Sequence, residues 1–243
     1  MAYEKTMKEL LPSQMPVHIG FIMDGNGRWA KKRGFPRKFG HREGAKSFER
    51  IVNYCKDIGI QYISFYAFST ENWKRPKDEV EAIINLFRKY IDDVREHIDD
   101  NVKVVFLGDK SVFDDELRRK MIKLENDSKD FTAMTLLIAV NYGGRDEIVR
   151  AVKKIAEQAK GNQLDVSTID DELFSRYLDT RGVPDVDLLI RPSGEMRLSN
   201  FLVWQCAYAE FYFTNVLWPD FSPKELDKAI LDYSKRGRRF GGV

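Results

Sequence analysis

The sequence comprises 243 residues, of which 43% are apolar, and 40 lysines and arginines against 38 aspartates and glutamates leave a formal net charge of +2. This length favours one domain spanning residues 1–243, and the near-neutral balance gives no support to general nucleic-acid binding. The two cysteines, Cys55 and Cys206, are too few for a disulfide framework, so we expect buried thiols in a reducing, cytoplasmic environment.

The predicted elements alternate between strands and helices along the chain. Short apolar or aromatic runs predict strands, and apolar residues at three- and four-residue steps predict helices. In chain order we predict a strand at 17–23, a helix over 42–59, a strand at 62–68, a helix over 77–98, a strand at 102–108, a helix over 113–129, a strand at 133–140, a helix opened by 141–147, a helix near 170–178, a strand at 186–190, an aromatic stretch at 201–218 and a helix over 223–236.

This alternation predicts an α/β fold, with a mostly parallel central sheet covered by helices on both faces. In such sheets, ligands bind outside the carboxyl ends of the strands. Four polar loops directly follow predicted strands, at residues 24–29, 69–75, 141–145 and 191–199. We therefore expect these loops to converge on one rim of the sheet, where a ligand would bind.

The first loop combines a lone carboxylate, a glycine turn and dense positive charge. Asp24 ends an apolar run, Gly25 and Gly27 permit close backbone approach, and residues 25–42 contain seven lysines or arginines and no acid. A strand followed by a glycine turn and a helix start presents free N–H groups to an anion. The pattern favours a phosphate site; the alternative is an ordinary turn followed by a solvated basic helix.

Asp24 is the candidate metal ligand of this loop. A carboxylate beside a phosphate repels it unless a cation lies between them, and Mg²⁺ often takes one or two carboxylates plus substrate phosphate. The alternative is that Asp24 caps the following turn. Two other loops supply side chains that suit phosphate oxygens: Ser69, Asn72, Arg75, Arg191, Arg197 and Ser199.

Other catalytic patterns are missing from the sequence. The three histidines, His18, His41 and His97, form no spaced metal pair, and there is no Walker motif and no G-x-S-x-G elbow. We therefore expect no nucleophilic triad. His41, directly behind the basic run, remains a candidate phosphate donor.

Long segments of the chain resemble the cis-prenyltransferase family, most closely its bacterial members that make undecaprenyl diphosphate. The segments are HIGFIMDGNGRWAKKRGFPRKFGHREG, SFYAFSTENWKRP, NYGGRDEI and DLLIRPSGEMRLSNFLVWQCAYAEFYFTNVLWPDF, with RRFGGV at the end. The resemblance implies a Mg²⁺-dependent homodimer that adds isopentenyl diphosphate repeatedly, with cis geometry, to an allylic diphosphate such as farnesyl diphosphate. The product would be the carrier-lipid precursor for cell-wall synthesis.

The resemblance also implies roles for individual residues. Asp24 would be the catalytic carboxylate that works with Mg²⁺, Asn72 a second catalytic residue, and Glu210 a second metal ligand reaching from the partner or a neighbouring motif. The allylic diphosphate site would comprise Gly25, Asn26, Gly27, Arg28, Trp29, Arg37 and His41. A mobile loop would contribute Ser69, Thr70, Glu71, Trp73 and Arg75, and the isopentenyl diphosphate site Arg191, Arg197, Leu198 and Ser199. Arg239 and Gly241 would complete a site across the dimer interface.

A growing lipid also requires an apolar channel. Candidate walls are the helix from 77 to 98 and the strand that contains Leu137. Each added five-carbon unit would gain about 3–4 kcal/mol from burial, at ~0.8 kcal/mol per CH₂. Pro192 departs from the threonine common in the family, and since proline has no N–H we assign it no ligand.

Four alternatives remain open at this point. They are a shorter-chain cis-prenyl diphosphate synthase, a Mg²⁺-dependent phosphohydrolase, a non-catalytic binding subunit and a nucleic-acid-binding module. Residues 1–16 lack an apolar signal core, and no window approaches the roughly 18 apolar residues of a membrane span. We therefore expect a soluble protein that touches membranes at most peripherally, for product release.

Overall fold

A parallel sheet of six strands forms the centre of the protein. The structure is a computed structural model that describes residues 10, 12–97 and 101–236, so Arg239 and Gly241 lie outside the described residues. The strands are β1 (His18–Ile22), β2 (Tyr62–Ser69), β3 (Val102–Leu107), β4 (Met134–Tyr142), β5 (Leu188–Arg191) and β6 (Glu210–Phe213). Their order is β3-β4-β2-β1-β5-β6, and every neighbouring pair is parallel. The predicted α/β class is confirmed.

Seven α-helices surround this sheet in the described part of the chain. They are α1 (Asn26–Lys32), α2 (Arg37–Asp57), α3 (Lys77–His97), α4 (Asp115–Ser128), α5 (Gly144–Lys160), α6 (Asp171–Ser175) and α7 (Pro223–Tyr233). No described helix combines the length and hydrophobicity that crossing a bilayer requires. Both cysteines are buried and free, as predicted, and burial raises the pKa of the Cys206 thiol to about 12.

Two apolar cores lie on opposite faces of the sheet. Along β4, Leu136 and Ile138 belong to the larger core, whereas Leu137 and Ala139 belong to the smaller one. Successive side chains of a strand point to opposite faces, so a strand buried on both sides needs an unbroken apolar run. Helices α2, α3, α4 and α7 supply the larger core. Much of the smaller core comes from the non-helical segment 198–206, which differs from the predicted helical cover.

Most predicted elements are confirmed within a few residues, with three differences. Helix α2 begins at Arg37, earlier than predicted, and the helix expected near 170–178 covers only Asp171–Ser175. The aromatic stretch hides a strand, β6, which we did not predict. With four residues, half-buried at the sheet edge, β6 lacks the length and the alternating pattern that reveal a strand.

A buried histidine ties the amino ends of the strands together. The His18 ring bonds the Pro184 carbonyl through Nδ1 and the Ser64 hydroxyl through Nε2, each at 2.7 Å. Burial lowers the pKa of His18 to about 4, although the Pro184 carbonyl and the Asp187 charge oppose this shift. The ring is therefore neutral in the folded protein at neutral pH.

This histidine predicts a loss of stability in mild acid. Between pH 6.5 and about 4 the unfolded chain holds a proton on His18 that the folded protein lacks. The free energy of unfolding should therefore fall as pH falls through this window, by ~1.4 kcal/mol per unit and about 3 kcal/mol in all. Denaturant titrations at pH 7, 5.5 and 4 should show a shallower decline for His18→Gln than for the parent. Parallel declines in the two proteins would contradict this assignment.

Candidate active site

A cavity of about 730 Å³ lies at the carboxyl edge of the sheet. Its polar rim comes from the loops after β1, β2 and β5, so the predicted convergence is confirmed for three of the four loops. No residue of the fourth, 141–145, lines the cavity. Ten of the predicted site residues line it: Asp24, Asn26, His41, Ser69, Glu71, Asn72, Arg75, Arg191, Arg197 and Ser199. The volume falls within the roughly 300–1,000 Å³ typical of small-molecule sites.

The interior of the cavity is apolar. Helix α3 contributes Ile83, Leu86, Phe87 and Tyr90 at helical spacing, and α2, β4 and other elements add further apolar side chains. The prediction that α3 and β4 supply walls is therefore confirmed. Leu137 itself is not a wall: it faces the smaller core, and its neighbour Ile138 lines the cavity. The site thus joins a charged rim to a hydrophobic interior.

The glycine turn after β1 depends on backbone freedom at one position. Gly25 precedes α1 with φ of 106°, a left-handed conformation that disfavours other residues, and a Cβ there would lie 2.9 Å from the Leu217 side chain. The Gly25 carbonyl accepts a hydrogen bond from the Trp29 N–H at 2.9 Å and so starts the helix. The predicted strand–turn–helix arrangement is present.

Two glycines of α2 hold this turn in place, and sequence reasoning missed both. A Cβ on Gly40 would lie 1.9 Å from the Asn26 carbonyl oxygen, and one on Gly44 would lie 2.2 Å from Asn26 Oδ1. Because neither glycine has a side chain, the backbone of the turn packs directly on the helix. The available signal was two glycines four residues apart on a helix that follows a glycine turn.

Asp24 lies between two arginines at the rim. Its carboxylate accepts hydrogen bonds from Arg28 Nη2 at 3.2 Å and from Arg191 Nη2 at 3.0 Å. Burial alone would raise the pKa of Asp24, but the hydrogen bond and charge of Arg191, the Ser193 hydroxyl and the charge of Arg28 together lower it. Asp24 is therefore ionised at neutral pH.

Arg191 is the most enclosed cation of the rim, with its side chain only 5% exposed. Besides Asp24, it donates to the Ser199 hydroxyl at 2.7 Å and to the Arg197 carbonyl. These bonds fix the loop after β5, in which Ser199 adopts a left-handed φ of 50°. The loop thereby holds Arg191 and Arg197 on the same rim as Asp24.

The loop after β2 forms a 3₁₀ helix, Thr70–Lys74, closed by a capping box. Asn72 Oδ1 accepts from the Ser69 N–H at 3.2 Å, which leaves the amide NH₂ of Asn72 as its remaining donor. Glu71 accepts from Asn200 at 3.0 Å, and Trp73 donates to Asn141 at 2.8 Å. The loop is therefore anchored to the end of β4 and to the loop after β5.

Three residues that line the cavity each contain a buried polar atom without a hydrogen-bond partner among the described residues. The atoms are Asn26 Oδ1, His41 Nε2 and Arg191 Nε. Burial and the nearby charges of Arg75 and Arg37 lower the pKa of His41 against the opposing charge of Glu79, so the ring is neutral at neutral pH. Unpartnered buried polar atoms are costly, so their clustering at one rim indicates a place for a polar ligand.

Nine predicted site residues do not line the cavity: Gly25, Gly27, Arg28, Trp29, Arg37, Thr70, Trp73, Leu198 and Glu210. Trp29 points away, donating to Asp220 at 2.7 Å with Arg33 4.1 Å over its ring. Arg28 and Arg37 lie close behind the rim, and Arg37 is 3.5 Å from Glu79. The sequence fixes which loop carries these residues, but not which way each side chain turns.

Glu210 lies at the opposite edge of the sheet from Asp24 within one chain. It opens β6 and pairs with Leu188, which pairs with Ile19, five residues before Asp24. At ~3.3 Å per residue, this register separates the two carboxylates by about 16 Å along the strands. Glu210 instead bonds Arg236 at 2.7 Å. A metal shared by both carboxylates of one chain is therefore inconsistent with this fold, and only another copy's Glu210 remains a candidate.

Sequence reasoning also missed several polar partners of the rim. Ser193 accepts from Arg28 through its carbonyl at 2.8 Å and its hydroxyl at 2.6 Å, and the hydroxyl also bonds Asp24. The Glu79 carboxylate accepts a hydrogen bond from the Arg75 guanidinium at 3.0 Å. Ser193 stood inside a motif already quoted, but nothing distinguished its hydroxyl from that of an ordinary loop serine. Its φ of 80° is visible only in the structure.

Ser193 predicts a measurable effect on anion binding. Replacing it with alanine removes an acceptor of Arg28 and a donor to Asp24, and hydrogen bonds to charged groups contribute about 1.5–3 kcal/mol. We expect Ser193→Ala to weaken the binding of inorganic pyrophosphate about tenfold in calorimetric titration. Ser234→Ala, which removes a hydroxyl bonded to the Leu231 carbonyl, is the control. Equal affinities for the two variants would count against a role for Ser193.

Comparisons with known proteins agree with this architecture. Residues 22–241 match a family model described as putative undecaprenyl diphosphate synthase. The isoprenyl transferase of Clostridium perfringens is 50% identical over 235 residues, covering 96% of this chain and 93% of that protein. The ditrans,polycis-undecaprenyl-diphosphate synthase ((2E,6E)-farnesyl-diphosphate specific) of Pasteurella multocida is 48% identical, and the match covers 98% of this chain and 99% of that protein.

Two solved structures share the fold. The lavandulyl diphosphate synthase of Lavandula x intermedia, in complex with dimethylallyl diphosphate, superposes with a TM-score of 0.91 at 35% identity, covering 95% of this chain and all of that one. A probable undecaprenyl diphosphate synthase of Campylobacter jejuni superposes with a TM-score of 0.78 at 35% identity, covering 93% of this chain and 99% of that one. The similarity therefore extends over nearly the whole chain in both sequence and fold.

Proposed function

The chain belongs to the undecaprenyl diphosphate synthase family and is a cis-prenyltransferase, and from this premise we propose its substrates and the roles of its residues. It condenses isopentenyl diphosphate repeatedly onto farnesyl diphosphate to give undecaprenyl diphosphate, the precursor of a cell-wall carrier lipid. We propose further that residues 1–243 form one domain and that the protein works as a homodimer in the cytoplasm, with peripheral membrane contact.

One observation carries this proposal: a rim of charged and unpartnered polar atoms opens onto an apolar cavity of about 730 Å³. A prenyl diphosphate has the same two parts, because it joins a charged diphosphate head to a hydrocarbon tail. With the head at the rim, the tail points between α2 and α3. Each five-carbon unit added would bury more apolar surface, at ~0.8 kcal/mol per CH₂.

The two diphosphates are assigned to the two sides of Asp24. The allylic diphosphate is assigned to the glycine turn and α2, through Gly25, Asn26, Gly27, Arg28, Arg37 and His41, with Trp29 only supporting the turn from outside. Isopentenyl diphosphate is assigned to Arg191, at the end of β5, and to Arg197 and Ser199 on the loop that follows. Leu198 of this loop packs against the smaller core. Holding both heads on one rim brings the reacting carbons together and would supply the larger part of the rate enhancement.

The rim suits Mg²⁺ held partly by the substrate. Asp24 is ionised, and the described residues contain no cluster of three potential metal ligands. That donor set fits Mg²⁺, which commonly binds one or two carboxylates plus substrate phosphates rather than an all-protein cage. Asp24 would hold the ion, which when bound would neutralise charge on the departing diphosphate. Glu210 of a second copy is retained only as a candidate ligand.

In the reaction, the bond between the allylic carbon and its diphosphate oxygen breaks, the isopentenyl double bond attacks that carbon, and a proton leaves the new chain. Arg28, Arg37 and the unpartnered His41 nitrogen would stabilise the leaving diphosphate. Asn72 uses its carbonyl oxygen within its own loop and keeps only NH₂ donors. An amide is also far too weak a base, so Asn72 would orient the diphosphate or a water, with Ser69, Thr70, Glu71, Trp73 and Arg75 forming and supporting its loop.

The product assay tests this function. The protein would be incubated with Mg²⁺, farnesyl diphosphate and labelled isopentenyl diphosphate, and the products would be sized by chromatography after removal of the diphosphate. We expect a long product of eleven isoprene units, the undecaprenyl chain named in the family description and in the Pasteurella multocida relative. Shorter products would assign a shorter-chain synthase, and phosphate release without isopentenyl diphosphate would assign a phosphohydrolase instead.

A further inference from the structure

The corner between α1 and α2 is an exposed surface of which the proposed site uses only Arg37. All eight residues from Lys31 to Lys38 are exposed, including Phe35 at 49%. Gly34, with φ of 71°, and Pro36, at the N-cap of α2, turn the chain sharply there. The corner follows the glycine turn and α1 in the sequence, and it belongs to the basic run of residues 25–42.

Three lysines of this corner have no counter-charge. The four arginines of the run each approach an acid: Arg28 lies 3.2 Å from Asp24, Arg33 3.2 Å from Asp220, Arg37 3.5 Å from Glu79, and Arg42 3.9 Å from Glu43. By contrast, Lys31, Lys32 and Lys38 have no acidic group within 4.0 Å in the part of the chain that the structure describes, and they do not line the cavity. Neither the fold nor the site accounts for these charges.

Two aromatic rings lie among the lysines. Phe35 and Phe39 stack on each other, with centroids 5.5 Å apart, and Arg42 lies 4.8 Å over Phe39. Neither ring belongs to an apolar core or to the cavity wall. Phe35 is exposed and Phe39 is half-buried. An exposed apolar ring beside uncompensated lysines is the arrangement found where proteins rest on a charged lipid surface.

We propose that this corner docks on an anionic bilayer, with Phe35 and Phe39 among the headgroups and Lys31, Lys32 and Lys38 paired with acidic lipids. Charge complementarity favours an anionic surface, and the aromatic pair favours a bilayer over a dissolved anion, which would gain nothing from exposed rings. A nucleic acid is less suited, because the two rings stack on each other rather than standing apart as platforms for bases.

The corner is also well placed for a lipid product. Lys38 lies three residues before His41 on α2, which is about 4.5 Å along the helix axis, and His41 lines the cavity. A docked corner would therefore hold the charged rim close to the bilayer surface. Only the purpose of docking, the release of a lipid product, rests on the proposed function. Docking itself requires neither substrate nor turnover.

The test is vesicle co-sedimentation of the full chain without substrates. Vesicles of one part phosphatidylglycerol to three parts phosphatidylcholine are compared with pure phosphatidylcholine. We expect binding only to the anionic vesicles. Because each basic residue near such a surface contributes about fivefold, Lys31→Gln/Lys32→Gln/Lys38→Gln should weaken it at least tenfold. Phe35→Ser should weaken it severalfold at unchanged melting temperature, since Phe35 is exposed and its loss leaves the core intact.

The matched control is Lys129→Gln/Lys153→Gln/Lys160→Gln, which removes the same charge at exposed positions on α5 and after α4. This control should bind like the parent. Equal weakening of both triple variants would overturn the proposal in favour of general charge attraction, and full binding by Phe35→Ser would overturn the role of the rings. Because product formation is measured separately in detergent, failure of docking leaves the assigned reaction untouched.

Discussion

Replacing Asp24 with alanine is expected to lower kcat about 10³-fold, with little increase in KM for either diphosphate. The carboxylate contributes to charge stabilisation as the diphosphate departs, so its loss acts on the transition state. Its removal also leaves Arg28 and Arg191 without the anion that now lies between them at 3.2 and 3.0 Å. Arg191 then lacks its acidic partner and Arg28 keeps only Glu195, 3.6 Å away, so the pair attracts substrate phosphates at least as well as before. Steady-state kinetics with each substrate varied in turn would measure this split.

One further variant separates charge from shape at this position, and another, outside the site, serves as a control. Asp24→Asn keeps an oxygen acceptor for the arginines but removes the charge, so we expect it to lose nearly as much kcat as Asp24→Ala. Asp130→Ala removes an exposed acid outside the site and should behave like the parent. Circular dichroism must show that each variant folds. A kcat for folded Asp24→Ala within threefold of the parent would remove Asp24 from the proposed mechanism.

The sequence carries enough information to locate the rim of the site. Asp24, Ser69 and Arg191 each stand at or just beyond the end of an apolar run, and parallel strands bring such ends to one edge. The rule needs no knowledge of strand order, which is why the convergence could be predicted although the order β3-β4-β2-β1-β5-β6 could not. Apolar spacing likewise revealed α3, whose inward face became a wall of the cavity.

The remaining features depend on geometry that a residue pattern does not encode. The distance of Glu210 from Asp24 follows from the register of β6, a short edge strand without a pattern of its own. The outward turn of Trp29 follows from Asp220, 191 residues away in sequence. Ser193 acquires its role from a left-handed backbone conformation. Such long-range contacts and local dihedral angles become visible only once the chain is folded.

Replacing Gly40 with alanine is expected to have the second large effect. Helix propensity predicts that this change stabilises the protein, whereas packing predicts that it destabilises the protein. In an unhindered helix interior, alanine is more favourable than glycine by about 1 kcal/mol. At Gly40, however, the new Cβ would lie 1.9 Å from the Asn26 carbonyl oxygen, a backbone atom that cannot rotate away. We therefore expect Gly40→Ala to destabilise the protein by about 1–3 kcal/mol in denaturant titration.

The same clash should reach the chemistry through the glycine turn. A normal contact needs about 3 Å, so Asn26 must move by roughly 1 Å relative to α2, and Asp24 lies two residues before it. A shift of that size can cost about 10²-fold in rate, so kcat/KM should fall by about that factor in the protein that remains folded.

Gly44→Ala should be milder, since its clash at 2.2 Å is with the Asn26 side chain, which can rotate. Gly161→Ala, whose nearest neighbour would be 3.5 Å away, is the control and should keep parental stability and rate. A Gly40→Ala protein more stable than the parent would mean that propensity outweighs packing and that α2 does not hold the turn in place.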